Sequence, residues 1–321
     1  MGMIIPSGLG LLQRQGFSNA AAPTKWDYVV PRFSRFLSNI QLTAGQQSDG
    51  YIKKNGVIGC LNRAYYGSSS GSDNSFFVGS WGKVTAIRPP RDVDVYFTLP
   101  SEVYHRFNAY TSNKQSALLQ EVKAILQISF PYTTNIRGDG PVVFVGFDSY
   151  CVEVVPAFEL EGNHYVVCDT KNGGAYKETA PWHEIVHIDE ADKRNTNNLR
   201  PLVRMLKAWQ AYCSVSIKSF HLELLAIEYI DQSAWRDKSL LWCDWLVRDF
   251  FDYLIRRANT YIRIPGTGEL MWLSDNWKTK AESAHSRARY ACVYEEQNLM
   301  LMAGDEWQKI FGTDIPRLVT L

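Results

Sequence analysis

Between Phe76 and Phe97 the chain reads FFVGSWGKVTAIRPPRDVDVYF. Side chains of a strand alternate between its two faces. Asp92 and Asp94 of DVDVYF therefore project from one side, and Val93, Val95 and Phe97 from the other. Two carboxylates held that close repel each other unless a cation sits between them. Hard oxygen ligands of this kind suit Mg²⁺, which one or two carboxylates bind together with the phosphates of a substrate. The turn before the strand supplies the phosphate side: Gly79 lets the backbone pass close to a ligand, and Ser80 offers a hydroxyl and an N–H. The segment that follows can present helix N-terminal amides to an anion. An alternating Asp/Val strand also describes a half-exposed edge strand, and Gly-Ser is a common turn. Their combination is more specific and reads as a metal-nucleotide site.

Gly79-Ser80, then Thr85, then Asp-Val-Asp-Val resembles the signature of the polymerase-β-like nucleotidyltransferases. Within them it resembles the cGAS/DncV-like family, whose members make cyclic oligonucleotide messengers. Two further stretches carry the likeness. In YCVEVVPAF (150–158) a single acid, Glu153, stands among apolar neighbours, and an isolated carboxylate is costly to bury unless paired or bound to a cation. It looks like the family's third-acid strand. The family often has Asp here, so Glu reaches one methylene further. LVRMLKAW and SFHLELL, within 202–225, look like the C-terminal helical lobe.

The resemblance implies an α+β fold, a polymerase-β-like core with a twisted mixed sheet and a C-terminal helical lobe, with the active site in the cleft between them. Asp92, Asp94 and Glu153 would be the metal-binding and catalytic acids, holding Mg²⁺ or Mn²⁺. Gly79 and Ser80 would grip the donor triphosphate. Lys207 and Ser219 would contact its far end, Phe220 would stack on a base, and Thr85 would reach the acceptor or base. Gln46 would meet a base. Glu153 or a ligated water would take the proton of the attacking hydroxyl, and pyrophosphate would leave. Without the resemblance, Lys207 reads as a solvated helix lysine and Ser219 as a helix N-cap. The family's members act in bacterial anti-phage signalling (CBASS). The implied partners are nucleoside triphosphates as substrates, a product-activated effector protein and regulatory accessory proteins. Base choice would depend on groups such as Phe220 and Asp275.

The 321 residues, 45% hydrophobic, suffice for one large core or two modest ones. Lys+Arg 34 against Asp+Glu 33 leaves a net charge of +1, so no bulk field draws in long nucleic acid. That balance weighs against an RNA-end or poly(A)-adding polymerase. A protein-modifying transferase and a non-catalytic nucleotide-binding scaffold also fit the fold, and intact acids argue against the scaffold. The six cysteines form no CxxC or Cys/His cluster, as expected of reduced core thiols. No stretch approaches roughly 18 apolar residues and no signal peptide is evident, so a soluble, cytoplasmic protein without membrane contact is expected.

Residues 1–24 are expected to be a flexible arm, 25–195 the catalytic core and 196–321 the helical domain. Periodicity predicts two helices between Trp26 and Tyr66, the second long. It predicts another over Ser112–Ser129 with a stripe of Leu118, Leu119, Val122, Ile125, Leu126 and Ile128. Strands are expected at 142–147, 150–158 and 165–168, and helices over 199–213, 220–230, 242–257 and 281–302.

Residues 183–187 read His-Glu-Ile-Val-His, the HExxH pattern of zinc metalloproteases. The remaining zinc ligands are missing: positions 190 and 193 are Glu190 and Lys193, and no glutamate falls between Ala191 and Leu222. Pro181 and Trp182 before it and the following acidic run suggest a short connecting segment whose histidines cap or pack between lobes.

Overall fold

The computed structural model describes residues 25–133, 135–170 and 174–321. The arm expected at 1–24 lies outside them. The first helix, α1 (Val29–Ile40), is followed by α2 (Ala44–Tyr66). A capping box starts α2: Thr43 Oγ1 accepts from the Gln46 N–H, and the Gln46 side chain accepts from the Thr43 N–H. Gly67, left-handed at φ 68°, ends it. The Gly-Ser-rich turn then leads into β1 (Ser75–Phe77), the single-turn helix α3 (Gly79–Gly82) and β2 (Asp92–Thr98).

Two helices, α4 (Ser101–Asn108) and α5 (Lys114–Ser129), precede the strands β3 (Ile136–Asp139), β4 (Val142–Gly146), β5 (Cys151–Leu160), β6 (His164–Asp169) and β7 (Ala175–Thr179). They build one mixed sheet in the order β1-β2-β5-β4-β3, with β6 paired to the far half of β5 and β7 to β6. β2 and β5 run parallel, and their register sets Asp94 opposite Glu153. One face is apolar: Val93, Val95, Phe97, Val152 and Val154 pack with Val57, Ile58 and Leu61 of α2 and Leu118, Leu119, Val122 and Leu126 of α5. The other face carries the acids.

The remaining helices are α6 (Pro181–Arg194), α7 (Leu199–Tyr212), α8 (Ser219–Gln232), α9 (Cys243–Arg256), α10 (Lys278–Glu296) and α11 (Met300–Phe311). A short hairpin, β8 (Tyr261–Arg263) with β9 (Leu270–Trp272), lies between α9 and α10. Their core is separate from the sheet's and rich in Trp and Phe, among them Trp209, Phe250, Phe251, Trp277 and Trp307.

Several expectations need correction. Trp26, Val29, Phe33, Phe36 and Ile40 belong to the helical core, so a division at 195/196 does not follow the packing at α1; the described residues begin in the helical core and return to it. Arg32 fixes α1 there, donating from Nε to Glu295 Oε1 at 2.6 Å and from its terminal nitrogens to the carbonyls of Met300 (2.8 Å) and Arg317 (3.0 Å). The helix expected over 281–302 is two, because Asn298 takes a left-handed φ of 55° between α10 and α11. Ile128 is 81% exposed while Leu126 is fully buried, since two residues on, about 200° round the helix, it points to the opposite side. The HEIVH run is no short connection: it lies in the 14-residue α6, begun by Pro181 in its first turn. The elements α4, β3, β7, β8 and β9 were not anticipated; all but α4 are short strands, of three to five residues.

Candidate active site

The acid strand is pinned before its side chains are considered. The Val78 N–H donates to the Asp94 carbonyl (3.0 Å), and Trp81 Nε1 donates to the Asp92 carbonyl (2.9 Å). The indole of Trp81 in turn rests on α2 at Gly50, where a Cβ would come within 2.3 Å of its ring. Gly79 has φ +53°, and a Cβ on it would stand 2.0 Å from Asp94 Oδ2. Only glycine meets both the backbone and the space requirement.

Asp92, Asp94 and Glu153 bring one carboxylate oxygen each within 4.8 Å of one another. Burial, followed by the charges of Asp92 and Glu153, pushes the Asp94 carboxyl up to about 7, although Lys207 and Lys83 pull the other way. Burial and the charge of Asp92 also raise Glu153, with Arg137 opposing. Three hard oxygen donors, mutually repelling and partly desolvated, fit a divalent cation of the Mg²⁺ type. Among the described residues this is the one cluster of three or more such side chains.

Beside it lies a cavity of about 440 Å³ between sheet and helices, bordered by Gly79, Ser80, Asp92, Asp94, Lys207 and Phe220. Ser219 also borders it, but its Oγ donates to Gln210 Oε1 at 2.7 Å. It makes no N-cap hydrogen bond; Lys218 holds the cap position of α8. Lys207 is no solvated helix lysine. Its ammonium is buried, 2.6 Å from Glu223 Oε1 and 2.8 Å from Thr85 Oγ1.

Of three further expected contacts, Thr85 borders the cavity and Gln46 and Asp275 do not. Thr85 is fully buried, and its hydroxyl accepts from Lys207 while donating to Glu223 Oε1 at 3.0 Å, which braces the lysine at the edge of the cavity. Gln46 does not border the cavity, and its amide oxygen accepts from the Thr43 N–H at 2.9 Å as part of the α2 cap. Asp275 likewise lies away from the cavity, accepting from Asn259 Nδ2 at 2.8 Å.

Three residues passed over in the sequence complete the wall: Lys83, Glu184 and Glu223. Lys83 Nζ lies 3.1 Å from Glu223 Oε2, 2.8 Å from Glu184 Oε2 and 4.2 Å from the centre of the Phe220 ring. Burial works against its charge, but Glu223 and Glu184 outweigh that and hold it above the usual lysine value. Burial likewise opposes ionisation of Glu223, yet Lys83 and Lys207 bring it down to about 2. Lys83 stands four residues after Gly79 and Glu223 four after Ser219, so the motifs themselves were the signal. The pairing across the lobes was not readable from them.

Residues 28–195 match the family model of the Second Messenger Oligonucleotide or Dinucleotide Synthetase domain. The chain belongs to this family, and so to the cGAS/DncV-like nucleotidyltransferases. Over 274 residues, 74% of this chain and 81% of the relative, it is 23% identical to a probable cyclic nucleotide synthase of Bacillus cereus. Its fold is similar to that of the Vibrio cholerae cyclic AMP-GMP synthase DncV solved with the linear intermediate pppA(3′,5′)pG, with a TM-score of 0.69 and 11% identity over 91% of this chain and 98% of that one. It is also similar to Escherichia coli CdnC in complex with a HORMA protein, with a TM-score of 0.65 and 16% identity over 89% and 98%. CdnC solved with ATP gives 0.61 and 19% over the same shares. Among the described residues no helix is long and apolar enough to cross a membrane.

Proposed function

We propose that this nucleotidyltransferase joins nucleoside triphosphates into a cyclic di- or oligonucleotide with release of pyrophosphate, as a messenger in anti-phage signalling. The observation that carries the reading is the convergence of Asp92, Asp94 and Glu153 within 4.8 Å beside a cavity that Lys83 and Lys207 also border. Asp92, Asp94 and Glu153 would hold Mg²⁺, or Mn²⁺ in its place. When bound, the metal supplies charge stabilisation to the phosphates and acidifies the attacking ribose hydroxyl.

The chain's own residues do the rest. Gly79 leaves room for the phosphates where any side chain would collide with Asp94, and Ser80 adds its hydroxyl and N–H. Lys207, held by Glu223 and Thr85, presents its charge to the far end of the triphosphate, beside Ser219. Phe220 offers a ring to a base. Glu153 receives the proton of the attacking hydroxyl. A second transfer on the linear product closes the ring. The product activates an effector protein, and accessory proteins regulate synthesis; the CdnC complex with a HORMA protein supports the latter by analogy.

The test is incubation of the purified protein with four labelled nucleoside triphosphates and Mg²⁺ or Mn²⁺, then phosphatase treatment and separation. A phosphatase-resistant product without free ends is expected. Linear products alone, with or without accessory protein, would overturn ring closure.

A further inference from the structure

The glutamate of the His-Glu-Ile-Val-His run is a cavity group without a role so far. The helix α6 separates it from its histidines. His183 and His187 border a different groove, and His183 Nε2 lies 2.9 Å from the Gly162 carbonyl. Glu184 instead faces the nucleotide cavity, with a side chain 23% exposed.

Its carboxylate is anchored at one oxygen. Lys83 Nζ bonds Oε2 at 2.8 Å, and Lys83 is itself held by Glu223. Among the described residues no donor lies on Oε1. An ionised carboxylate only accepts hydrogen bonds, so a ligand atom that meets Oε1 must carry N–H or O–H. Apolar groups lie close by. Val78 and Val155 border the cavity and pack with Tyr96 and Phe76, and Phe76 meets Trp182 of α6 at 5.4 Å between ring centres; on the other side the Phe220 ring lies 4.2 Å from Lys83 Nζ. Aromatic and aliphatic lining beside a fixed acceptor suits the flat face and polar edge of a nucleobase better than a ribose.

Resting on the nucleotide-binding reading above, we infer that Glu184 is a specificity-determining residue that accepts a hydrogen bond from the amino group of a bound base. It favours adenine, guanine or cytosine over hypoxanthine or uracil. Carboxylates read cytosine in the same way elsewhere, through its amino group. A carbonyl placed against the carboxylate leaves two acceptors facing each other, so a base with oxygen at that position is rejected.

The experiment is calorimetric binding of non-hydrolysable α,β-methylene triphosphates in pairs that differ by the amino group: adenosine against purine riboside, guanosine against inosine, cytidine against uridine. The unsubstituted protein is expected to bind the amino-bearing member of at least one pair about 10-fold or more tightly, the scale of one hydrogen bond to a charged group. Glu184→Gln can turn its amide either way, and should bring that ratio to within about threefold, with the melting temperature recorded to show a folded chain. Glu184→Met, which cannot accept, should do the same. Absence of discrimination in every pair, an unchanged ratio in the variants, or equal weakening of both members would overturn the inference. Because these analogues cannot be joined, the ratio reads Glu184 whether or not a cyclic product forms.

Discussion

Two charged clusters meet at one cavity, and they are built on opposite principles. On the sheet, Asp92, Asp94 and Glu153 crowd like charges together, with Asp94 driven up by burial and its neighbours. On the helical side, Lys83, Lys207, Glu223 and Glu184 alternate in sign, and both oxygens of Glu223 are matched by ammoniums. The first arrangement requires something from solution. The second pairs its charges within the chain, Oε1 of Glu184 apart, and serves to hold two cations still. A site that handles a polyanion with a metal ion requires both: an unsatisfied anionic pole that loads the metal, and a cationic pole whose members cannot swing away.

The comparison breaks most sharply with Asp92→Asn combined with Asp94→Asn. Turnover should fall by about 10³-fold or more, the equivalent of several kcal/mol of lost charge stabilisation. The melting temperature should hold or rise, because a repulsion has been removed. Mg²⁺ at 100 times its dissociation constant should add about 2.7 kcal/mol to the stability of the unsubstituted protein and nothing measurable to the variant. A variant that melts lower and still responds to metal would show that the acids are structural and that the metal binds elsewhere.

Glu223→Ala probes the opposite pole. Removing one partner from a buried ion cluster costs about 3–5 kcal/mol, so denaturant unfolding should shift strongly, in contrast to the acid variants. Glu223 also has a pH signature. Its folded value of about 2 lies below the ordinary glutamate value near 4.3. The folded state therefore binds fewer protons, and the stabilisation is present above about pH 4.3 and lost as pH falls towards 2. Glu223→Gln should flatten that segment of the acid-unfolding curve; an unchanged curve would mean that the pair is not ionised in the fold.

The smallest effect sharpens where the site ends. Gln46→Ala removes half of the α2 capping box and should cost about 0.5–1 kcal/mol in unfolding experiments, with nucleotide affinity unchanged. A loss of affinity would return Gln46 to the site.

Much of the acid pole was legible because it rests on local periodicity. In DVDVYF the alternation places both aspartates on one face whatever the strand's neighbours, and the Gly-Ser turn announces itself by a glycine, which has no Cβ to collide with Asp94 Oδ2. Glu153 required a likeness, since nothing local says that β5 lies parallel beside β2. The cationic pole was half legible. Lys207 stood out in its motif, but Thr85 and Gln46 were read as ligand contacts because a sequence shows a polar side chain without showing what already bonds it. Glu184 was hidden by its setting in a zinc-like run, where the helical spacing that pairs two histidines also turns the glutamate the other way.

The sequence by itself determined the elements and the chemistry available: an alternating acid strand, a glycine turn, amphipathic helices and a family signature. These depend on interactions between residues a few positions apart. Tertiary structure alone decided which charges meet, joining Lys83 to Glu223 across 140 positions and Lys207 to Thr85 across 122. It also drew Trp26–Ile40 into the helical core. Such pairings are set by sheet register and helix packing, where burial leaves a charge no option but its opposite, and that pressure exists only once the chain has closed around it.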